Sequence, residues 1–167
     1  MELTLADEAA TQRLGAALAA ALPDLHRHSL LLALGGDLGA GKTTLARALL
    51  RALGVTGTVR SPTFTLVEPY DTPAGLVYHL DLYRLAGGAA ELEGLGFRDY
   101  RSQPGLVMVE WPEKGGLGSQ DADLTMRLEL AGGGRQVLVE SGSEPGDDWL
   151  QVALRYISQH QVTGVSH

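Results

Sequence analysis

The chain has 167 residues and a mass of 17.7 kDa, the size of one ordinary globular domain. Apolar residues make up 44% and charged residues 20%, which supports a buried core and excludes an intrinsically disordered chain. Cysteine is absent, so disulfides, thiolate metal sites and cysteine nucleophiles are excluded. The net charge of −7 disfavours a protein that coats nucleic acid, because binding to phosphates requires clustered cations.

No apolar run approaches the roughly 18 residues that a membrane-spanning helix needs. The start of the chain also lacks the basic and then apolar pattern of a secretory signal. We therefore expect a cytoplasmic protein without a membrane partner. A single domain is expected over residues 1–160, followed by a frayed tail at 161–167.

The first half of the chain predicts a strand, a helix, a buried strand and a second helix. Residues 3–5 indicate the first strand, and the first helix begins after Asp7 as its cap and ends before Pro23. The apolar run 30–34 is typical of a buried parallel strand. Leucines at four-residue spacing over 42–53 indicate an amphipathic helix.

The second half predicts a hairpin, short helices and further strands. Residues 65–70 and 75–83 flank a predicted four-residue loop at 71–74. The remaining predicted elements are helices at 89–95, 97–101 and 148–158, and strands at 106–109, 123–130 and 136–140. Together they favour a three-layer α/β domain of the phosphate-loop type, with a largely parallel central sheet and an antiparallel hairpin at its edge.

The strongest motif lies between the buried strand and the second helix. Residues 36–43 read Gly-Asp-Leu-Gly-Ala-Gly-Lys-Thr, a complete G-x-x-x-x-G-K-[ST] phosphate loop. Glycines allow the backbone amides to converge on phosphate oxygens, the lysine adds a cation, and the threonine offers a Mg²⁺ ligand. The predicted nucleotide contacts here are Asp37, Leu38, Gly39, Ala40, Gly41, Lys42, Thr43 and Thr44.

Other side chains predict the nucleotide and its metal. Asparagine is absent, so the Asn-Lys-x-Asp motif that reads guanine is impossible and adenine is favoured. Glu110 follows a buried strand and is the expected Mg²⁺ acid, although Asp is commoner there. Asp81 shares a strand face with His79 and either lines a cleft, where it would orient water or support the metal, or lies on a solvated edge. Thr63 is the expected switch residue near the γ-phosphate, and an ordinary Ser-Pro-Thr turn is the alternative.

Five segments in order closely resemble the bacterial TsaE (YjeE) family, phosphate-loop ATPases required for threonylcarbamoyladenosine in tRNAs that read ANN codons. The segments are 36–44, 61–66, 79–85, 91–93 and 109–113. The resemblance implies ATP and Mg²⁺ as cofactors, with Thr43 and Glu110 near the metal. It also implies that Asp81 and Trp111 lie near the γ-phosphate, Thr11 near the nucleotide and Arg135 near the base.

The resemblance further implies an accessory role beside a complex of the TsaD and TsaB proteins, with tRNA met mainly through that complex. Lys42, Asp81 and Glu110 are then the expected catalytic residues. Two alternatives stay open. One is a small-molecule kinase on the same fold, with Arg98 and Arg101 as the nearest candidates for lid residues. The other is a non-catalytic binding module whose docking surface is controlled by bound nucleotide. The sequence also leaves open whether Asp81 or Glu110 contacts the metal directly.

Overall fold

A computed structural model describes residues 1–160 and the backbone of 164–166. Its strands are β1 (Glu2–Leu5), β2 (Ser29–Gly36), β3 (Val67–Thr72), β4 (Gly75–Asp81), β5 (Gly105–Glu110), β6 (Leu124–Ala131), β7 (Gly134–Ser141) and β8 (Gly164–Ser166). Its helices are α1 (Glu8–Ala20), α2 (Lys42–Ala52), α3 (Gly88–Gly94), α4 (Phe97–Ser102) and α5 (Glu144–Gln159). Two short 3₁₀ turns lie at Pro112–Gly115 and Ser119–Asp121.

The strands in the described part of the chain form one sheet in the order β3-β4-β5-β2-β6-β7-β1-β8. The central strands β4, β5, β2 and β6 pair in parallel. The predicted fold with its parallel centre and its antiparallel β3–β4 hairpin is confirmed. The antiparallel region is larger than expected, because β7, β1 and β8 continue the sheet beyond β6.

Helices cover both faces of the sheet, and alternation along β2 shows how the sequence builds the two cores. Leu30, Leu32 and Leu34 belong to the core under α1, α2 and α5. Leu31 and Ala33 point to the opposite face and join the core under α3 and α4. Because successive strand residues face opposite sides, a run that is apolar throughout serves two cores.

Capping residues determine where the long helices begin. Asp7 accepts a hydrogen bond from the amide of Ala10 at 2.7 Å, as its predicted cap role requires. Ser143 caps α5 by accepting from the Gly146 amide at 3.1 Å. The predicted start of this helix at residue 148 is therefore wrong: the helix begins at Glu144, with a proline in its first turn, where no backbone donor is needed.

Both hairpins turn more tightly than the sequence predicts. Thr72 pairs with Gly75, so the β3–β4 loop has two residues and not the predicted four. Ala131 pairs with Gly134 in the second hairpin, and the residues between them, Gly132 and Gly133, have φ angles of 54° and 88°. Two consecutive positive φ angles are characteristic of the type I′ turn, whose twist matches that of paired strands.

Only part of the predicted tail at 161–167 falls within the described residues, so its fraying stays a prediction. Residues 161–163 and 167 lie outside the described residues. The backbone of Gly164–Ser166 pairs antiparallel with β1. Among the helices described, none combines the length and the apolar character needed to cross a bilayer.

Trp149 anchors α5 to the core: 1% of it is exposed, and its indole N–H donates to the Leu18 carbonyl at 2.9 Å. Replacing it with alanine is expected to lower the free energy of unfolding by about 3–5 kcal/mol. Val152 on the same helix is 43% exposed, so V152A is the matched control and should cost less than about 0.5 kcal/mol. Urea denaturation followed by circular dichroism measures both, and equal losses would contradict the docking of α5.

Candidate nucleotide site

The phosphate loop connects β2 to α2 and depends on a glycine at each end. Gly36 has a φ of 112°, and a Cβ there would lie 1.9 Å from the Leu128 carbonyl oxygen. Gly41 has a φ of 108°, and a Cβ there would lie 2.9 Å from Nε of Arg135. Between them, the Asp37 amide donates to the Leu128 carbonyl at 3.2 Å and ties the loop to β6. Side chains at either glycine would displace the loop.

Lys42 begins α2 with its ammonium group inside the loop. Nζ donates to the carbonyl oxygens of Gly36 at 2.8 Å and Asp37 at 2.6 Å, and it lies 4.0 Å from the centroid of the Trp111 ring. Only 4% of the residue is exposed. Burial lowers the pKa of Lys42, while the charge of Glu110 acts in the opposite direction. The loop therefore encloses a cation that is largely removed from water.

Glu110 ends β5 and joins two elements through its two oxygens. Oε2 accepts from the Thr43 hydroxyl at 2.9 Å, and Oε1 lies 2.9 Å from Nε2 of His79. Glu110 is 2% exposed and pairs in register with Asp81 on β4. Because parallel strands end at the same edge of a sheet, the fold brings both acids to the phosphate loop.

The carboxylate of Asp81 accepts hydrogen bonds from nearby loop residues rather than from α2. Oδ1 accepts from the Tyr83 amide at 3.0 Å, and Oδ2 accepts from the Ser61 hydroxyl. Thr63 donates to that same hydroxyl at 3.3 Å. Asp81 thus holds the segment 61–65 against the end of β4.

These groups surround an open cleft of about 400 Å³. It is lined by Leu38, Gly39, Gly41, Lys42, Thr43, Thr44, Ser61, Thr63, Asp81, Tyr83, Glu110, Trp111 and Arg135. Eleven of these thirteen residues belong to the set predicted from sequence, and the two additions are Ser61 and Tyr83. The structure therefore gathers residues from five separate segments of the chain around one space.

Three predicted contacts do not line the cleft. Asp37 contributes a carbonyl to Lys42, and Ala40 is fully buried with its carbonyl accepting from Nε of Arg135 at 2.8 Å. Thr11 is buried in α1, where its hydroxyl donates to the Asp7 carbonyl at 3.4 Å.

The burial of the polar face of β4 decides whether Asp81 lines a cleft or lies on a solvated edge. A solvated edge is wrong, because β4 lies between β3 and β5 and exposes 0% of His79 and 5% of Asp81. Sequence reasoning had not assigned a role to His79, Ser61 or Tyr83. His79 and Asp81 are two positions apart and share a strand face, which was a signal for His79. The Ser-Pro-Thr segment was a signal for Ser61.

A buried strand, a glycine-rich loop, a helix beginning Lys-Thr and an acid on the neighbouring strand define a phosphate-loop protein. A family model described as threonylcarbamoyl adenosine biosynthesis protein TsaE matches residues 5–137. The chain belongs to the TsaE family, which confirms the resemblance inferred from its motifs.

Two relatives agree with this assignment, and a solved structure agrees with the fold. The tRNA threonylcarbamoyladenosine biosynthesis protein TsaE of Haemophilus influenzae is 42% identical over 132 residues, 78% of this chain and 83% of that protein. The Synechocystis protein of the same name is 44% identical over 118 residues, 68% of this chain and 71% of that protein. The crystal structure of Bacillus subtilis YdiB superposes with a TM-score of 0.71, covering 93% of this chain and 95% of that chain at 23% identity, which supports the fold.

The burial of Lys42 is directly measurable, because the chain has only one other lysine, the exposed Lys114. Limiting acetic anhydride followed by mass spectrometry should label Lys114 well before Lys42. Since burial lowers the pKa of Lys42, its labelling, however slow, should reach its midpoint at a lower pH in the folded protein than in urea. Equal labelling rates of the two lysines in the folded protein would contradict the enclosed ammonium.

Proposed function

We propose that this chain binds MgATP in the cleft and hydrolyses it in support of threonylcarbamoyladenosine formation in tRNAs that read ANN codons. The observation that carries this proposal is the meeting of the Lys42 ammonium, the Thr43 hydroxyl and the Glu110 carboxylate at the start of α2. The names of the TsaE relatives supply the pathway. That substrate would place the activity in the cytoplasm.

Binding of the triphosphate rests on the positive end of α2. The first amides of a helix have no partner within it, and the glycine-rich loop adds further amides that point toward an anion. Phosphate oxygens would replace the carbonyls of Gly36 and Asp37 as partners of Lys42. Because this ammonium is already desolvated, its attraction to an anion is stronger than that of an exposed lysine.

The oxygen groups of Thr43 and Glu110 suit Mg²⁺, a hard cation that takes hydroxyl, carboxylate, phosphate and water ligands. The described residues contain no cluster of three or more histidine or acidic side chains able to hold a metal alone. This agrees with an ion shared with the nucleotide. Bound Mg²⁺ would neutralise charge on the phosphates.

The two acids fit different roles in this proposal. Glu110 contacts Thr43, so it would hold the metal, whereas both oxygens of Asp81 contact the chain near Thr63. Asp81 would therefore orient water or the segment 61–65 at the γ-phosphate. Catalysis would rest on positioning and charge neutralisation, without a covalent intermediate.

Adenine is the favoured base because the chain has no asparagine with which to form the guanine-reading motif. Nε of Arg135 donates to the Ala40 carbonyl beside the loop, and the family resemblance implies that this arginine lies near the base. We further propose that the chain acts as an accessory to the TsaD and TsaB proteins and meets tRNA mainly through them. Its negative charge agrees with that indirect encounter.

A kinase lid receives no support from the arginines considered for it. Arg101 contacts Ser29 and Asp123, at the start of β2 and thus at the opposite end of that strand from the phosphate loop. Arg98 pairs with Glu93 on the surface, with 83% of its side chain exposed. Neither arginine lines the cleft.

Phosphate release from ATP should require Mg²⁺ and should rise when the TsaD and TsaB proteins are added. Lys42→Ala removes the enclosed cation and should abolish nucleotide binding, as measured by calorimetry. Lys114 is the exposed counterpart, so K114A should bind nucleotide as the wild type does. The wild type failing to bind adenine nucleotide, alone and with both proteins, would overturn the proposal. Phosphorylation of a small-molecule acceptor would instead support the kinase alternative.

Glu110→Gln distinguishes an ATPase from a non-catalytic module that only changes its docking surface when nucleotide binds. The substitution removes the charge that would hold the metal, so turnover should fall about a hundredfold or more while ATP binding persists. Glu144 is exposed at the start of α5 and does not line the cleft, so E144Q is the control with normal turnover expected. Modification of tRNA at the wild-type rate by E110Q would favour the module.

A further inference from the structure

His79 is a buried polar side chain whose role the proposed function does not use. It lies in the interior of β4 with 0% of its surface exposed. Nε2 lies 2.9 Å from Oε1 of Glu110, while Nδ1 has no hydrogen-bond partner among the described residues. A buried polar group is costly unless it is hydrogen-bonded, so the contact with Glu110 is the interaction that this imidazole is placed to make.

The geometry also selects one form of the ring. Glu110 already accepts from Thr43 through its other oxygen, and the geometry makes Nε2 the ring nitrogen placed to donate to Oε1. A hydrogen on Nδ1 would be a buried donor without an acceptor among the described residues. The hydrogen-bonding pattern therefore favours the Nε2–H tautomer.

The register of β4 and β5 explains how the pair constrains Glu110. His79 pairs with Met108, two residues before Glu110, so the carboxylate reaches its partner diagonally across the strands. Glutamate has one more rotatable bond than aspartate, the commoner acid at this position in phosphate-loop proteins. With Oε1 held by His79, Oε2 remains directed at the Thr43 hydroxyl.

We propose that His79 is a positioning residue that fixes the Glu110 carboxylate and thereby strengthens divalent metal binding at Thr43 and Glu110. This inference rests on the proposed function, because the metal is the one that accompanies the nucleotide. Partners that orient a metal ligand typically change metal affinity by about 10- to 100-fold when removed.

Two substitutions separate positioning from filling space. His79→Leu retains apolar bulk and removes the donor, whereas His79→Gln replaces it with an amide N–H. Mn²⁺ serves as the spectroscopic probe for the metal, titrated by electron paramagnetic resonance in the presence of a non-hydrolysable ATP analogue. Binding of the same analogue in EDTA, measured by calorimetry, reports on the phosphate loop without metal. His28 is exposed, so H28L is the control substitution.

We expect H79L to weaken Mn²⁺ binding about tenfold or more, H79Q to recover most of that loss, and H28L to match the wild type. Metal-free binding of the analogue should stay within about twofold of wild type in every variant, since His79 does not line the cleft. Unchanged Mn²⁺ affinity in H79L, or an equal loss of metal-free binding, would overturn the positioning role.

Nitrogen-15 spectra of the unsubstituted protein provide a test that needs no variant to fold. The His79 signals should show hydrogen on Nε2, and finding it on Nδ1 instead would overturn the inference. Failure of the proposed function has a different signature. In that case the wild type binds no analogue, with or without metal, and both proposals are wrong. The tautomer of His79 can still be read from its spectrum.

Discussion

The parallel pairing of β4, β5 and β2 is the constraint on which the site depends. Its register places Asp81 opposite Glu110 and Glu110 opposite Leu34, so the acids end level with the strand that enters the phosphate loop. The hydrogen bond from Thr43 to Glu110 then connects this edge to α2. A slip of one residue in either pairing would turn an acid toward the other face of the sheet. The strand register that directs apolar side chains into the two cores therefore also determines which acids face the cleft.

Sequence predicted the parts whose signals are local. The loop, α2 and the alternation in β2 follow from residue type and spacing within a few positions, and they carry most of the site. The start of α5 was also local, but the cap Ser143 was missed. The pairing of β1 with β7 joins residues 130 or more positions apart and leaves no local pattern. His79 and Glu110 likewise meet only through strand register, which explains why their contact was not foreseen.

The electrostatics of the cleft show a site built at some expense of stability. Lys42 is nearly buried, its pKa is lowered by that burial, and its hydrogen bonds go to backbone carbonyls rather than to a carboxylate. Burying a charge without a close ion pair is unfavourable. The two apolar cores on either side of the sheet offset that cost. An anion at the loop would add counter-charge beside Lys42, so ligand binding would also stabilise the folded protein.

The two acids differ in what fixes them, and that difference bears on how the site responds. Glu110 contacts His79 on β4 and Thr43 on α2, so regular elements determine its position. Asp81 contacts Ser61, which belongs to the segment that carries Phe64, a residue 85% exposed. Movement of that segment would change the partner of Asp81 and leave the Glu110 contacts intact. The two acids would therefore respond differently to a displacement of the segment 61–65, because only Asp81 is held by it.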